Sequence, residues 1–267
     1  MPVKGIICYY SGSGNTKAAC ETIVRKLTNS DFQLYDIMNG GYPDFDQYGL
    51  IGFATFANLL QLPELMAEYL RKIERIAPKY AFIFNTYGSI SGNTLAQFRT
   101  LLIKKGFIVI DGCSLHTPEN YPPMINSGHG FATAPSTNEL EKFANFITRL
   151  NQNISLIKNS REPKRYQIKI GLINRLLPNP PEFLSKWVMG IKRIDQAICG
   201  KCGLCIKLCP YQAITMVEYP EFDAKRCHYC WACYNHCPKG AVHTKSYRSE
   251  GRYPKPIKAY LEKLTRI

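Results

Sequence analysis

From residue 3 onward, short apolar runs alternate with segments whose apolar residues recur at helical spacing. Val3 to Tyr10 is a nearly unbroken apolar run, the pattern of a strand buried on both faces. Over residues 15–27, Ala18, Ala19, Ile23, Val24 and Leu27 recur at intervals that place them on one helical face. Phe32 to Ile37 and Leu50 to Phe56 read as further strands. A helix opens at Pro63 and Glu64, where proline suits a first turn, and runs to about Ile76. Tyr80 to Thr86 and Phe107 to Leu115 complete five strands, with helices expected near 93–105 and 138–149. Strands alternating with helices in this way predict an α/β domain over residues 1–150, built on a doubly wound, five-stranded parallel sheet.

In such sheets ligands bind beyond the carboxyl ends of the strands, so the loop after each strand is where chemistry is sought. The first loop, Ser11-Gly12-Ser13-Gly14-Asn15-Thr16, offers hydroxyls, backbone N–H groups and a helix N-terminus, all suited to a phosphate. It contains no Lys or Arg, so neutral donors and the helix dipole would hold the anion. A Walker loop is excluded because the Gly-Lys-Ser/Thr ending is absent. A dinucleotide fingerprint is a competing reading, with Gly12 and Gly14 followed by Asp36, but Lys17 stands where its third glycine would be. A plain Ser/Gly turn without a ligand is the remaining alternative.

The run Tyr-Ser-Gly-Ser-Gly-Asn-Thr after a first strand resembles the FMN-phosphate loop of flavodoxins, and the resemblance covers about the first 150 residues. It implies that Thr55, Phe56, Ala57 and Asn58 after the third strand, and Thr86, Tyr87 and Gly88 after the fourth, flank the flavin ring. Phe56 and Tyr87 are the stacking candidates. Flavodoxins that carry tryptophan in the first of these loops differ from this chain at Phe56. The long stretch from His116 to Ser136 is rich in Pro, Gly and Asn. Within it, Thr117-Pro118-Glu119-Asn120-Tyr121 resembles a flavin-proximal loop of flavodoxin-ferredoxin fusion proteins, which adds Asn120 to the contacts. His129 reads as a solvated loop histidine. Cys8, Cys20 and Cys113 read as small core hydrophobes.

The chain has 267 residues, 45% of them apolar and 12% aromatic, which suits a folded protein of more than one domain. No uncharged apolar run is long enough to span a bilayer, and the N-terminal residues do not read as a secretory signal, so a cytoplasmic protein is expected. Eleven cysteines then read as metal ligands or thiols. Residues 1–150 hold 13 Lys and Arg against 12 Asp and Glu, whereas residues 151–267 hold 21 against 8. The basic C-terminal half would steer an acidic protein partner towards itself, and nucleic acid is not expected.

Residues 151–195 lose the alternation and gain charge and proline. They read as a basic linker in which Leu172, Leu176, Leu177, Phe183, Trp187 and Val188 form short amphipathic packing helices. Residues 196–246 carry a repeat with an offset of 28: Cys199, Cys202, Cys205 and Cys209 are matched by Cys227, Cys230, Cys233 and Cys237, and Pro210 by Pro238. Cys-x-x-Cys-x-x-Cys wraps three thiolates around one iron-sulfur cube, while the following Cys-Pro lies too far along to close it and ligates the other. Cys199, Cys202, Cys205 and Cys237 therefore form one 4Fe-4S site, and Cys227, Cys230, Cys233 and Cys209 the second, as in bacterial-type ferredoxins. Zinc would favour paired Cys-x-x-Cys halves instead of duplicated triplets. His228 and His236 lie beside ligands without a ligand role, and residues 247–267 read as a basic tail.

In its order of domains the chain resembles flavodoxin-ferredoxin fusion proteins of anaerobes: a flavodoxin-like FMN domain followed by a small α+β ferredoxin-like domain holding two 4Fe-4S clusters. The resemblance implies electron transfer between the clusters and FMN, with a ferredoxin-type or other redox protein as partner. The alternative is a flavin-dependent reductase of a small molecule that uses the clusters as electron input.

Overall fold

The computed structural model describes residues 1–167 and 189–267; the segment carrying Leu172, Leu176, Leu177, Phe183, Trp187 and Val188 lies outside them. Side chains of β1 (Val3–Tyr9) alternate between two cores, Ile7 and Tyr9 on one face and Ile6 and Cys8 on the other. The same sorting holds along β3 (Leu50–Phe56) and β4 (Lys79–Tyr87), which is why these strands read as continuous apolar runs. With β2 (Ser30–Asp36) and β5 (Phe107–His116) they form a parallel sheet in the order β2-β1-β3-β4-β5, the flavodoxin-like doubly wound order. Helices α1 (Asn15–Lys26) and α5 (Thr137–Lys158) cover one face, and α2 (Glu64–Lys72) and α3 (Thr94–Lys104) the other. A short helix, α4 (Pro122–Asn126), lies in the loop after β5.

Two helices differ from their expected spans. α2 ends at Lys72 because the chain turns out to let the Ile76 N–H donate to the Lys105 carbonyl, 3.0 Å away. α5 runs nine residues beyond the expected end, into the segment read as linker. A capping box of Ser136 and Glu139 starts it, and Leu150, Ile154 and Ile157 carry its apolar stripe onward. At Asn151 the same helix caps its neighbour: the side-chain oxygen accepts from the Thr28 N–H at 2.8 Å, and the amide donates to the Lys26 carbonyl at 3.1 Å.

The C-terminal unit obeys its sequence repeat in detail. Antiparallel pairs join β6 (Arg193–Ile194) to β9 (Val242–His243) and β7 (Ile214–Met216) to β8 (Pro220–Phe222). Helices α6 (Leu204–Lys207) and α7 (Ala232–His236) each follow a Cys-x-x-Cys run. Left-handed residues recur at the repeat offset: Lys201 and Tyr229, Gly203 and Trp231, Gln212 and Gly240. The turn bonds recur as well, with Cys199 donating to the Asp195 carbonyl and Cys227 to that of Asp223, both at 3.1 Å.

The segment read as a tail returns to the first domain. After Tyr253 it forms α8 (Lys258–Thr265), which packs on α1 with Tyr260 and Leu264 buried in the sheet's core. The Tyr260 hydroxyl donates to the Asn15 carbonyl at 3.0 Å, and the Tyr253 hydroxyl to the Asn15 side-chain oxygen at 2.9 Å. No helix among the described residues is long and apolar enough to cross a membrane. Because Tyr260 is fully buried, Tyr260→Ala should cost about 3–5 kcal/mol. Tyr260→Phe removes only a hydrogen bond and should cost about 1 kcal/mol, both read from denaturation midpoints of the fully loaded protein.

Candidate functional site

Beyond the carboxyl ends of the strands, four loops close on a narrow slot. Ser11, Gly12, Ser13, Asn15 and Thr16 form its floor, with Phe56 and Ala57, Thr86 to Gly88, and Thr117 to Asn120 as its walls. Sequence turns the loop sharply: Gly14 sits at φ 97° and starts α1, while the Ser11 hydroxyl accepts from the Gly14 N–H at 3.1 Å. The hydroxyls of Thr16 and Thr86 meet at 2.8 Å, and the Asn15 amide donates to the Pro118 carbonyl at 2.9 Å. Among the described residues the N–H groups of Ser13, Asn15 and Thr16 find no acceptor. Unsatisfied N–H groups at the start of a twelve-residue helix, faced by hydroxyls, are a cradle for an anion such as a phosphate. The Asn120 amide spans the slot to the Ser13 hydroxyl at 3.0 Å.

A second cavity of about 200 Å³ shares Phe56, Ala57, Gly88, Glu119 and Asn120 with this slot. Its far wall comes from the cysteine-rich unit: Tyr229, Cys230 and Trp231, with Met189 beside them. Glu119 lies over Gly88, so closely that a Cβ there would collide with the carboxylate. The carboxylate accepts from the N–H groups of Asn120 (2.9 Å) and Tyr121 (3.1 Å), and burial pushes its pKa up. Of the residues singled out in sequence, Phe56 packs against the Tyr10 ring at 5.2 Å between centres, and Asn58 lines the second cavity and donates to the His228 carbonyl at 3.3 Å. Tyr87 lines the slot but stacks on His116, with ring centres 5.2 Å apart. Thr55 is fully buried and lines neither cavity, and its hydroxyl has no partner. His129 is exposed and bonds Ser127.

By their mutual electrostatic influence the cysteines fall into two sets, although among the described residues no three of them are drawn together as closely as a metal site requires. The charges of Cys202 and Cys237 act on Cys205, whereas those of Cys209 and Cys227 act on both Cys230 and Cys233. Each Cys-Pro sulfur accepts a main-chain N–H, Cys209 from Ala213 at 3.3 Å and Cys237 from Ala241 at 3.2 Å. Burial pushes the thiols of Cys205 and Cys230 up to about 11 and raises those of Cys227 and Cys233, so they are thiolates only when iron supplies compensating charge. Tyr10 is buried, and among the described residues its hydroxyl finds no acceptor in good geometry, its polar neighbour being the Cys230 sulfur. An iron-bound thiolate there would accept a hydrogen bond from it, so the buried hydroxyl fits an occupied cluster site.

The two units are bonded across this interface. The His236 ring N–H donates to the Gly12 carbonyl at 3.0 Å, and the Asn235 amide donates to the Asn120 carbonyl at 2.9 Å. Sequence reasoning missed Tyr10, Glu119 and Tyr253. Tyr10 was hidden as the last residue of an apolar strand, and Glu119 stood inside a quoted motif at a position with no assigned role.

Residues 198–241 match the family described as the 4Fe-4S dicluster domain, a stretch that contains all eight clustered cysteines. Among curated proteins, an iron-sulfur subunit of the CoB--CoM heterodisulfide reductase of Methanopyrus kandleri is 54% identical over 28 residues, which is 10% of this chain and 4% of that protein. The chain therefore spans a small part of that relative's length. A flavodoxin from the domain Archaea aligns over 57% of this chain and 99% of its own, with 17% identity and a TM-score of 0.44. The Fusobacterium nucleatum flavodoxin bound to flavin mononucleotide covers 61% and 100%, with 15% identity and a TM-score of 0.39. Rubredoxin oxygen:oxidoreductase of Desulfovibrio gigas covers 59% and 37%, with 14% identity and a TM-score of 0.44. The fold assignment stands on the strand order, and the cofactor assignment of the second unit on the family match. Behind a flavodoxin-like doubly wound domain, the chain carries at residues 198–241 a stretch that matches the 4Fe-4S dicluster domain.

Proposed function

We propose that the chain is an electron-transfer iron-sulfur flavoprotein that passes electrons between its two 4Fe-4S clusters and FMN. The observation that carries this reading is the shared cavity: Cys230 forms one wall of the space whose other walls are Phe56, Ala57, Gly88 and Glu119. FMN exchanges one or two electrons and each cluster one, so the pair joins one-electron to two-electron chemistry. The free N–H groups of Ser13, Asn15 and Thr16 bind the phosphate, and the Asn120 amide turns to it from Ser13. Phe56, backed by Tyr10, and the backbone of residues 57–58 and 88 hold the ring. Asn235 and His236 keep the two units closed, which excludes water.

Cys227, Cys230, Cys233 and Cys209 hold the inner cluster, and Cys199, Cys202, Cys205 and Cys237 the outer one. Cys202 is exposed, as are its chain neighbour Lys201, Lys207 and the apolar side chains of Ile198, Met216 and Val217 in the same unit. The Lys201 ammonium lies over the Tyr219 ring and 3.6 Å from Glu218, which draws the β7–β8 turn against Cys202. Exposed apolar side chains and lysines on the unit that carries Cys202, in a basic C-terminal half, suit an acidic, ferredoxin-type redox protein as partner.

Anaerobically purified protein should contain about eight iron and eight sulfide atoms per chain, with one FMN. Gly88→Ala, which drives a Cβ into Glu119, should weaken FMN binding at least tenfold while the iron content stays unchanged. With a reduced acidic ferredoxin in rapid mixing, cluster bleaching should precede flavin reduction. Changing Cys202 and Cys230 together to serine should slow flavin reduction at least tenfold, and an unaltered rate would sink the relay. The second-order rate should also fall several-fold between about 0.05 and 0.5 M salt, whereas a salt-independent rate would rule out the basic docking face.

A further inference from the structure

The sequence repeat makes the two cysteine sets near copies of one another, and one buried residue makes them unequal. Lys192, just before β6, is 3% exposed. Its ammonium lies 3.6 Å from the centre of the Trp231 ring and 5.2 Å from that of Tyr229. It donates to the carbonyls of Met189 at 3.1 Å and Gly190 at 3.3 Å. Among the described residues no Asp or Glu comes within ion-pairing reach of it. Ring faces and carbonyls offer partial charges only, and a buried ammonium without an anion is costly by several kcal/mol.

The anionic groups at hand are sulfurs. Burial pushes the pKa of the Lys192 ammonium down to about 8, and the negative charge of Cys233, Cys227 and Cys230 acts against that to keep it protonated; Tyr229 and Trp231, whose rings it faces, flank Cys230 in sequence. As free thiols these sulfurs are neutral and leave the ammonium uncompensated, whereas a cube with its four thiolates carries about −2 when oxidised. The repeat sets Pro220, buried and uncharged, opposite Lys192 in the other half. The outer set therefore has no cation at the matching position; the charges near it are the exposed Lys201 and the partly exposed Arg252, whose guanidinium donates to the Cys237 carbonyl, and solvent screens both more than it screens Lys192.

We propose that Lys192 is the built-in counter-ion of the inner cluster, and that its fixed charge makes this cluster the more easily reduced of the two. The inference rests on the assignment of Cys209, Cys227, Cys230 and Cys233 to one cube. Reduction adds one electron, supplied by dithionite in the test below, and one negative charge; no bond forms and no proton moves. A positive charge held in a low-dielectric site favours that added charge. Electrons entering at the exposed outer cluster then settle beside the cavity that Cys230 lines. Lys192 acts through the cluster, as a positioning charge, and touches no reacting group itself.

The test is an anaerobic dithionite titration of the full, loaded chain followed by electron paramagnetic resonance, with iron and sulfide assayed in every sample. Cys202→Asp alters one outer ligand and so marks which signal belongs to the outer cluster. In the unaltered protein the inner cluster should be reduced first. Lys192→Met, similar in length and without charge, should lower the reduction equilibrium of the inner cluster at least tenfold, about 59 mV for one electron, and leave the outer one in place. Lys192→Arg should keep both values near those of the parent. Prior reduction of the outer cluster in the parent overturns the proposal, and so do two full clusters with unmoved potentials in Lys192→Met. If Cys209→Ser and Cys230→Ser disturb different signals, the cube assignment itself is wrong and the proposal falls with it.

Discussion

One buried side chain ties together parts of the chain that are far apart in sequence. Asn15, the first residue of α1, is 6% exposed, and its side chain and carbonyl are both bonded while its N–H is left to the slot. Its amide donates to the Pro118 carbonyl in the loop after β5, its side-chain oxygen accepts from Tyr253, and its carbonyl accepts from Tyr260. Each partner lies more than 100 residues away. A buried polar group left without its partner costs about 1–3 kcal/mol, so these bonds act as a register. The first loop, the wall of the slot and the returning tail are fixed relative to one another through a single residue. Because the tail is the continuation of the cysteine-rich unit, that unit is fixed against the sheet as well.

The parts of this architecture that were legible in sequence are those whose signal is local. The sheet was visible because its strands are buried on both faces and so read as runs, and the helices because Ala18, Ala19 and Ile23, or Phe98 and Leu102, recur at one spacing. The cysteine pattern was visible because ligand spacing is a one-dimensional code. The tail was not. Between residues 247 and 267 only Tyr253, Tyr260 and Leu264 are buried, among many lysines and arginines, and two of these three act through hydroxyls as much as through area. Lys192 was equally hidden, since a count of basic residues cannot separate a solvated ammonium from one enclosed by two aromatic rings. Tyr87 illustrates a different limit: its position in the loop was legible, but its stacking on His116 depends on where β5 brings that ring.

The junction between the two units stores strain where the site needs rigidity. At the left-handed position that Gly203 fills in the first half of the repeat, the second half has Trp231, at φ 60°. A large side chain in that region costs about 1–2 kcal/mol, which must be offset by its contacts. Trp231 meets Tyr234 and Tyr247 from its own unit and Tyr121 from the loop after β5, with ring centres 5.1, 6.3 and 5.6 Å away. The ring therefore acts as a wedge between domains. Glycine at the same position would relieve the strain but remove the wall of the cavity and the aromatic face on which Lys192 rests.

These constraints change what a doubly wound sheet does at its binding edge. The carboxyl ends of the strands are where such a fold meets ligands, and in an isolated domain that edge is open to any partner. Here it is roofed by residues 229–231, with His236 bonded to the first loop and Asn235 to the last. On the proposed electron-transfer reading, electrons exchanged with a redox protein would pass through the cysteine-rich unit that covers the slot. The exposed end of that unit is Cys202, and its enclosed end is Cys230. On that reading packing would separate the place where a partner docks from the place where the flavin is held, and the proposed role of Lys192 beside the enclosed end would give the path between them a direction.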